Sequence, residues 1–534
     1  MPQWLPFRPC SLHSCLLLWG LEMHGALPPL HSKTPHAPQT QRSIRRQSVR
    51  VIALSSGDGD VGPPYTLLLS HPQVQLLTHD ADVSLDDFLL SVVRQAQPLM
   101  DIWLQPPSSE SASSAAGPSP PPAASPLLQT VVRDAWQASW NSNHQCPEHL
   151  LASIAGAGNM NLSLRITSPD GSGKHRGVQQ DTIDPPSSWV LKQSRPWVQA
   201  YPQYPAPVER IGVEAAWYTA ANALPAVAHM VPSLAGMSRR FAAIMCEDLG
   251  VASDFTPLYA VTAAVPGNAE GRLREELLKD LKQTASFLGG LHGATRGGVP
   301  GFTQNNAMRE LNAAHMYTIP FSADNPMWGG LDSIEGGLEA AATTVRKNTC
   351  VLATASALQQ RYLLPLPVAG SAVLLHGDYF FGSWLRTKAG VFVIDAEFAH
   401  VGDAEFDVGV ALAHMAMAQL PLHVAQSWLA EYQNSTAKCA AAPQEGSAQL
   451  DCGLVAQFAA VEIVRRLVGV AQIPQLSLPP GGRVALLQRA TQCLQTTSPA
   501  AAAAPVESAS ATAGSTVGGD HANTWQQLWA TALR

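Results

Sequence analysis

Two short apolar segments in the C-terminal third of the chain each end in acidic residues. Residues 374–375 lead into His376-Gly377-Asp378, and residues 391–394 lead into Asp395-Ala396-Glu397. If each apolar segment is a strand, each strand delivers carboxylates at its end. Mg²⁺ prefers hard oxygen ligands, and the paired acids of the second segment suit this ion. The alternative is a strand-turn-strand hairpin whose acids face water.

The order of these acids matches phosphoryl-transfer enzymes of the protein-kinase type, in which one loop carries a catalytic Asp and the next strand ends in a metal-binding Asp. In that arrangement Asp378 would accept the proton of an attacking hydroxyl group, and Asp395 would hold Mg²⁺ against the phosphates of ATP. His376 would orient the Asp378 loop. Asp407 precedes a predicted helix as an N-cap would, and would support the same loop.

Composition limits the other function classes. The chain has 534 residues, of which 46% are hydrophobic and 14% charged, which predicts two or more domains with a sizeable core. A net charge of −7 gives no basic signature for nucleic acid or for an anionic membrane. Its apolar segments are far shorter than the roughly 20 residues of a membrane span. The eight cysteines show no metal-ligand spacing and are interpreted as reduced thiols.

Residues 1–57 differ from the rest of the chain. They contain one acidic residue, Glu22, and end in an arginine cluster that includes Arg42, Arg45, Arg46 and Arg50. This composition resembles an organelle transit peptide, which would place the protein in a chloroplast or mitochondrion. A disordered extension or an incorrect start codon is the alternative, and the protein would then be cytoplasmic.

Two segments, 106–126 and 497–523, are too rich in Pro, Ser, Ala, Thr and Gly to pack a core. The first interrupts an N-terminal extension, residues 58–150. The second opens a tail, residues 497–534, that ends in a short predicted helix.

Between these segments the sequence predicts two lobes. Residues 151–249 form a small β-rich lobe that would bind ATP, and residues 250–496 form a larger helical lobe. The predicted fold is therefore α+β and bilobal, of the protein-kinase-like class. Predicted strands cover 162–166, 188–193 and 242–245, and predicted helices cover 207–224, 272–291, 331–362, 407–419, 423–432, 454–470 and 483–495.

A glycine-bearing turn, Gly156-Ala157-Gly158-Asn159-Met160-Asn161, lies between two predicted strands. Glycines let backbone N–H groups approach phosphate oxygens, so Gly156, Gly158, Asn159 and Asn161 are candidate ATP ligands, although an ordinary hairpin turn would look the same. Lys192 lies inside an apolar strand, where a kinase of this type places the lysine that contacts the ATP phosphates.

Two further groups complete the predicted nucleotide site. Glu214 on the following helix is the candidate partner of that lysine, although it could instead pair with Arg210 one helical turn away. Residues 245–249 would form the hinge that meets the adenine ring, with Glu247 and Leu249 offering backbone groups.

Arg465 and Arg466 interrupt an apolar helix. Consecutive helical residues point about 100° apart, so the two side chains cannot both reach one solvent face. A buried arginine needs acceptors, which substrate oxygens or the site carboxylates would supply. The alternative is that Arg466 pairs with Glu462 four residues earlier and that Arg465 extends to solvent.

Several motifs together resemble the 5-methylthioribose kinase family, a relative of the aminoglycoside and choline kinases. They are His376-Gly377-Asp378 with Gly382-Ser383, Ile394-Asp395-Ala396-Glu397-Phe398 and Phe406-Asp407-Val408-Gly409. Ser383, where the other relatives carry Asn, and the Asp-x-Glu pattern separate this family from them. The glycine turn, Val190-Leu191-Lys192-Gln193 and Ile463-Val464-Arg465-Arg466-Leu467 resemble further family motifs.

The resemblance implies ATP and Mg²⁺ as cofactors, with Asp395, Glu397 and Ser383 at the metal. It also implies that the arginine pair binds the sugar, that the protein forms a homodimer, and that it phosphorylates the 1-hydroxyl of 5-methylthioribose in methionine salvage.

Two alternatives stay open. Tyr379-Phe380-Phe381 replaces the family's Leu-His-Thr beside the catalytic Asp, which could signal another small-molecule hydroxyl acceptor, such as a different sugar, an amino alcohol or an aminoglycoside. An inactive binding protein on a kinase scaffold is the alternative of another class. The four charged residues Lys192, Asp378, Asp395 and Glu397 argue against it.

Overall fold

The computed structural model of the chain describes residues 126–137, 150–155, 160–168, 188–198, 201–239, 241–260, 269–364, 372–440 and 450–496. The predicted transit peptide, both low-complexity segments apart from Pro126, most of the N-terminal extension, the tail and four residues of the glycine turn (Gly156, Ala157, Gly158 and Asn159) lie outside these residues. In the described part of the chain, no helix is long and apolar enough to cross a membrane. The five cysteines there are free.

The chain divides into two compact units, residues 1–208 with 235–245, and residues 209–234 with 246–534. The strands of the N-terminal part are β1 (Leu151–Ile154), β2 (Leu162–Thr167), β3 (Ser188–Gln193), β4 (Trp197–Val198), β5 (Tyr201–Pro205), β6 (Leu234–Ser238) and β7 (Ala243–Glu247). Five of them form one sheet in the order β1-β2-β3-β7-β6. The remaining two, β4 and β5, form a separate antiparallel pair.

One face of this sheet is covered by helix α1 (Pro126–Gln137). Along β2 the residues alternate between buried and half-buried, as expected of a strand with one face in a core. Trp136 of the helix meets Trp189 of β3 edge to face, with ring centroids 5.0 Å apart. The residues of this core that the helix supplies recur at helical spacing: Leu128, Val131, Val132, Ala135 and Trp136.

The second unit is mostly helical. Its helices are α2 (Arg210–Asn222), α3 (Ala269–Ala294), α4 (Asn306–Ala313), α5 (Leu338–Lys347), α6 (Thr349–Leu363), α7 (Ala404–Met417), α8 (Leu422–Cys439), α9 (Cys452–Val468) and α10 (Gly482–Thr496). Its strands are β8 (Ser253–Asp254), β9 (Val373–Leu375), β10 (Trp384–Thr387), β11 (Gly390–Val393) and β12 (His400–Gly402). A π turn spans Ala314–Thr318.

Helices α7 and α9 lie at the centre of the second unit. Residues 405–417 and 453–468 are all buried, so neither helix presents a face to solvent. The two pack closely because Gly409 has no side chain; a Cβ there would lie 2.8 Å from the Cβ of Phe458 and 2.9 Å from the carbonyl oxygen of Val455. Charged residues on these helices therefore need partners inside the protein.

Two small antiparallel sheets precede the acidic loops. Strand β9 pairs with β12, Leu375 lying opposite His400, and ends immediately before residues 376–378. Strand β11 pairs with β10, which also pairs with β8, and ends immediately before residues 394–397. The α+β class, with a β-rich N-terminal part and a helical C-terminal part, is confirmed.

Three predicted boundaries are wrong. The helix predicted over 331–362 is interrupted: Gly337 has a φ of +85° before α5, and the Asn348 side chain caps α6 by accepting the Val351 N–H at 3.2 Å. Helix α2 begins at Arg210, so Pro207 lies ahead of it. Asp403, and not Asp407, is the N-cap residue of α7, because the helix begins one turn earlier than predicted.

Candidate active site

The loop after β9 turns sharply at Gly377. This residue has a φ of +85°, and a Cβ there would lie 2.2 Å from the carbonyl oxygen of Phe398. Both the backbone conformation and the close approach require glycine. The turn sets Asp378 at the end of a buried strand, as the sequence predicted for a loop that delivers a carboxylate.

His376 connects the two acidic loops. Its Nε2 lies 2.8 Å from the carbonyl oxygen of Ile394, and its Nδ1 lies 3.3 Å from the backbone N of Asp378. These partners assign the tautomer, since Nε2–H donates to the carbonyl and Nδ1 accepts from the Asp378 N–H. Both ring nitrogens are thereby used by the backbone, and the buried ring orients the loop.

Asp407 supports the same loop from α7. Its carboxylate accepts the N–H of His376 at 2.7 Å and the N–H of Gly377 at 3.0 Å. His292 Nε2 lies 3.4 Å from the same carboxylate, and its Nδ1 lies 2.9 Å from the Tyr432 hydroxyl. Burial alone would raise the pKa of Asp407, but the contacts with His292 and His376 outweigh it and lower the pKa. The sequence assigned no role to His292.

Two arginines meet the Asp378 carboxylate. Arg466 Nη2 lies 3.3 Å from Asp378 Oδ1, and Arg465 Nη1 lies 3.9 Å from the same oxygen. The Asp378 side chain is 18% exposed, and those of the arginines are 7% and 9% exposed. The alternative in which Arg465 extends to solvent is wrong, because α9 is buried on every side.

The arginines are also paired inside the protein with Glu462. Its Oε1 accepts from Arg466 Nε at 2.6 Å, and its Oε2 accepts from Arg465 Nη1 at 3.1 Å. Burial would raise the pKa of Glu462, but the two guanidinium groups lower it well below its usual range. Arg466 therefore pairs with Glu462, as the alternative predicted, and also with the carboxylate of Asp378, while its role toward the acceptor stays a prediction. Within the described residues, the buried Nε of Arg465 has no hydrogen-bond partner.

Only one of the three aromatic residues after Asp378 borders these ionic groups. Tyr379 is fully buried and donates its hydroxyl to the Thr284 carbonyl at 2.8 Å. Phe381 is also fully buried and packs on Tyr259, with ring centroids 5.0 Å apart. Phe380 is half-buried, and the Arg466 guanidinium lies 5.0 Å from its ring centroid. Of the three aromatic residues that the sequence singled out, Phe380 thus places its ring against Arg466.

A π turn lies beside the arginine pair. It spans Ala314–Thr318, packs against α9 and carries His315, which is half-buried. Burial, followed by the charges of Arg465 and Arg466, lowers the pKa of His315 to about 4. The imidazole is therefore neutral near pH 7. The sequence did not suggest that His315 lies beside the arginine pair.

The acids after β11 occupy different environments. Asp395 has a φ of +67°, an uncommon backbone conformation for a residue with a side chain, and its N–H donates to the Tyr218 hydroxyl at 3.4 Å. Glu397 Oε2 accepts from Arg210 Nε at 3.0 Å, and both side chains are buried. Burial lowers the pKa of Arg210 below its usual value, although the charges of Glu397 and the buried Glu214 oppose the change.

These acids fit a magnesium ion by their chemistry. Asp395 and Glu397 offer hard carboxylate oxygens, and Mg²⁺ commonly takes only one or two carboxylates together with phosphate oxygens. Among the described residues, no cluster of three or more His, Cys, Asp and Glu side chains could hold a metal. Ser383 is buried, and its hydroxyl donates to the Asp378 carbonyl at 2.9 Å.

The other residues predicted to bind ATP are placed as follows. In the first unit, Lys192 lies on β3 opposite Ser163 and is 8% exposed, and Asn161 is buried immediately before β2. In the second unit, the Glu247 carboxylate accepts from the N–H and hydroxyl of Ser233 at 3.2 and 2.7 Å. Leu249 is half-buried two residues later. Their roles toward ATP stay predictions.

The comparison with protein families decides the class of this site. A model described as "Phosphotransferase enzyme family" matches residues 178–442. This segment, just under half of the chain, is similar to the phosphotransferase enzyme family. It contains Lys192, Asp378 and Asp395, and it ends before the arginine pair of α9. The kinase-like fold class predicted from the sequence is confirmed.

Solved structures of small-molecule kinases also match the chain. Spectinomycin phosphotransferase APH(9)-Ia, solved with ADP and spectinomycin, is 12% identical, with 73% of this chain and 99% of that chain covered and a TM-score of 0.35. Choline kinase LicA from Streptococcus pneumoniae is 9% identical, with 71% and 92% covered and a TM-score of 0.29. An aminoglycoside phosphotransferase from Alicyclobacillus acidocaldarius is 12% identical, with 79% and 97% covered and a TM-score of 0.33. A comparison with curated proteins gave no match.

Proposed function

We propose that this phosphotransferase uses ATP and Mg²⁺ to phosphorylate 5-methylthioribose at its 1-hydroxyl, as in methionine salvage. The observation that carries the proposal is the ionic arrangement at Asp378. A loop fixed by Asp407 holds this carboxylate at the edge of the core, and two arginines from one buried helix converge on one of its oxygens.

In the proposed reaction Asp378 accepts the proton of the attacking hydroxyl group as that group bonds to the γ-phosphorus of ATP. The arginines position the acceptor and stabilise the negative charge that spreads over the transferred group. Asp395 and Glu397 would hold Mg²⁺, which neutralises phosphate charge when it is bound. Lys192 would supply a further positive charge to the ATP phosphates.

The arginine pair favours a neutral polyol over a cationic acceptor. Choline and aminoglycosides carry positive charge and need carboxylates to pair with, whereas Asp378 is already paired with Arg465 and Arg466. The face of Phe380, which could otherwise attract a cation, is covered by Arg466. Sugar hydroxyls, in contrast, carry no charge and can accept hydrogen bonds from arginine N–H groups.

An acceptor screen tests this proposal. ADP release would be measured with 5-methylthioribose, ribose, choline and kanamycin side by side, with and without Mg²⁺. The Asp378→Asn variant serves as the control for background ATP hydrolysis. We expect Mg²⁺-dependent turnover with 5-methylthioribose. Preferential turnover of choline or kanamycin would show that 5-methylthioribose is not the acceptor. No turnover with any acceptor would favour an inactive binding protein.

We also propose that the protein forms a homodimer and that residues 1–57 direct it to a chloroplast or mitochondrion. Light scattering after size-exclusion chromatography tests the first. Microscopy of the full chain and of a version that lacks residues 1–57, each fused to a fluorescent protein, tests the second.

A further inference from the structure

A chain of buried polar groups extends inward from the Asp378–Arg466 contact. Arg466 Nε donates to Glu462 Oε1 at 2.6 Å, and His414 Nε2 lies 3.0 Å from the same oxygen. His414 Nδ1 lies 2.5 Å from the Tyr259 hydroxyl. Tyr259, His414 and Glu462 are all fully buried or nearly so. These groups come from three separate elements and meet behind the loop that carries Asp378.

The partners fix the direction of each hydrogen bond. Burial raises the pKa of Tyr259 well above its usual value, so its hydroxyl keeps its proton and donates to His414 Nδ1. His414 then donates from Nε2 to the Glu462 carboxylate. Burial, with the charge of Arg466, lowers the pKa of His414 even though Glu462 opposes the change. The imidazole is therefore neutral, with one tautomer selected by its neighbours.

His414 is a third donor to Glu462, beside the two arginines. Glu462 Oε2 accepts from Arg465 and its Oε1 accepts from Arg466, but both arginine side chains are long and have other rotamers. The imidazole of His414 is rigid and comes from the neighbouring helix α7. It also packs on Phe380, with ring centroids 5.0 Å apart, and that ring lies against the Arg466 guanidinium. His414 thus restrains Arg466 both through Glu462 and through Phe380.

We propose that His414, oriented by Tyr259, is a positioning residue that fixes Glu462 and thereby holds the arginine pair on Asp378. The inference rests on the proposed function, since it assigns the pair to the acceptor. His414 contacts neither reactant and transfers no proton. The titratable and charged groups that face it are Tyr259, Glu462, Arg466 and Asp378.

Two polar replacements of His414 separate positioning from folding. In His414→Gln the amide nitrogen can take the place of Nε2 and still donate to Glu462. In His414→Asn the amide lies near the place of Nδ1, where it can meet Tyr259 but falls short of Glu462. Tyr259→Phe, a third variant, removes only the hydroxyl that selects the tautomer. The readouts are kcat/KM for the acceptor, KM for ATP and the melting temperature with and without Mg-ATP.

We expect His414→Asn to lose about 10- to 100-fold in acceptor kcat/KM, with the KM for ATP within about twofold of wild type. His414→Gln should recover most of the loss, and Tyr259→Phe should lose about 3- to 10-fold. Equal kinetics in the Gln and Asn variants, or losses that follow the melting temperature alone, would overturn the positioning role.

Failure of the proposed function can be told apart from failure of the positioning role, because the wild type would then turn over none of the acceptors. Crystal structures of the two His414 variants would decide the question in that case. The proposal expects the Arg466–Asp378 contact to be kept in His414→Gln and lost or rearranged in His414→Asn. An unchanged contact in both variants would overturn it.

Discussion

Arg466 approaches Asp378 at Oδ1, 3.3 Å away, and Arg465 approaches the same oxygen at 3.9 Å. Within the described residues, neither guanidinium makes a hydrogen bond to the second oxygen, Oδ2. The two arginines therefore hold the carboxylate at one oxygen, and in the proposed reaction the other oxygen would meet the acceptor hydroxyl group. This geometry gives Asp378 a defined side from which it would take a proton.

Replacing Asp378 by Asn should abolish turnover and leave ATP binding largely intact, because the carboxylate acts on the acceptor. General-base catalysis contributes about 10²- to 10⁴-fold, and the loss should lie in kcat. Steady-state kinetics with 5-methylthioribose, together with calorimetric ATP titration, measures both effects. A variant with nearly normal kcat at saturating substrates would show that Asp378 is not the base.

Replacing Arg466 by Lys should not be conservative. Arg466 spans Glu462 with Nε and Asp378 with Nη2, and a single ammonium group cannot reproduce that fork. We expect acceptor kcat/KM to fall by about 10- to 100-fold, with the KM for ATP within about threefold of wild type.

The matched control for this variant is Arg386→Lys, which changes a half-exposed arginine that pairs with Asp280. It should leave both constants unchanged. Arg465→Lys should behave like the Arg466 variant. A loss of ATP affinity in either variant would contradict the prediction that the two arginines bind the acceptor.

Asp395→Ala and Glu397→Ala should both impair Mg²⁺-dependent activity, and the second should in addition break a buried ion pair. Glu397 is the carboxylate that pairs with the buried Arg210, and breaking a buried ion pair costs about 3–5 kcal/mol. Kinetics over a range of Mg²⁺ concentrations should show easier rescue of Glu397→Ala than of Asp395→Ala. If the two variants lost activity equally, independently of Mg²⁺ concentration and in proportion to unfolding, the alternative of a strand-turn-strand hairpin without a metal would be favoured.

Glu405 should make stability depend on pH. It is fully buried at the start of α7, and burial, followed by the charge of Asp403, raises its pKa from 4.5 to about 7. The folded state therefore holds this proton more tightly than the unfolded chain. The resulting stability is complete below about pH 4.5 and is lost as the pH rises through about 7.

Glu405→Gln should remove this loss, because the amide stays neutral and can still accept the Asp451 N–H that Glu405 accepts at 3.1 Å. At pH 8 the variant should be more stable than wild type by about 2–3 kcal/mol, and at pH 5 the two should be nearly equal. Urea unfolding at both pH values measures the difference. Parallel shifts at the two pH values would contradict the raised pKa.

The sequence predicted those parts of the site that local rules control. Short apolar runs before Gly377 and Asp395 define strands that end in acids, and the turn at Gly377 needs no information from elsewhere in the chain. The contacts behind the loop join residues that are distant in sequence: Arg210 and Glu397 are 187 residues apart, and His292 and Asp407 are 115 apart. Spacing rules for a single helix or strand cannot find such pairs.

The same limit applies to the residues beside Asp378. Tyr379 and Phe380 are adjacent in sequence, yet one enters the core and the other borders the site, because Thr284 of a different helix accepts the Tyr379 hydroxyl. His414 looked ordinary for the same reason, since its partners Tyr259 and Glu462 come from other elements.

The packing of α1 on the sheet bears on where the protein can be shortened. A version that begins at β1 would keep every residue assigned to ATP, metal and acceptor, and by motif it would look complete. It would nevertheless expose the apolar sheet face around Trp189 that Trp136 now covers, and large exposed apolar patches promote aggregation. We therefore expect a shortened version to keep this face covered only if it begins at or before Pro126, well upstream of the first catalytic motif.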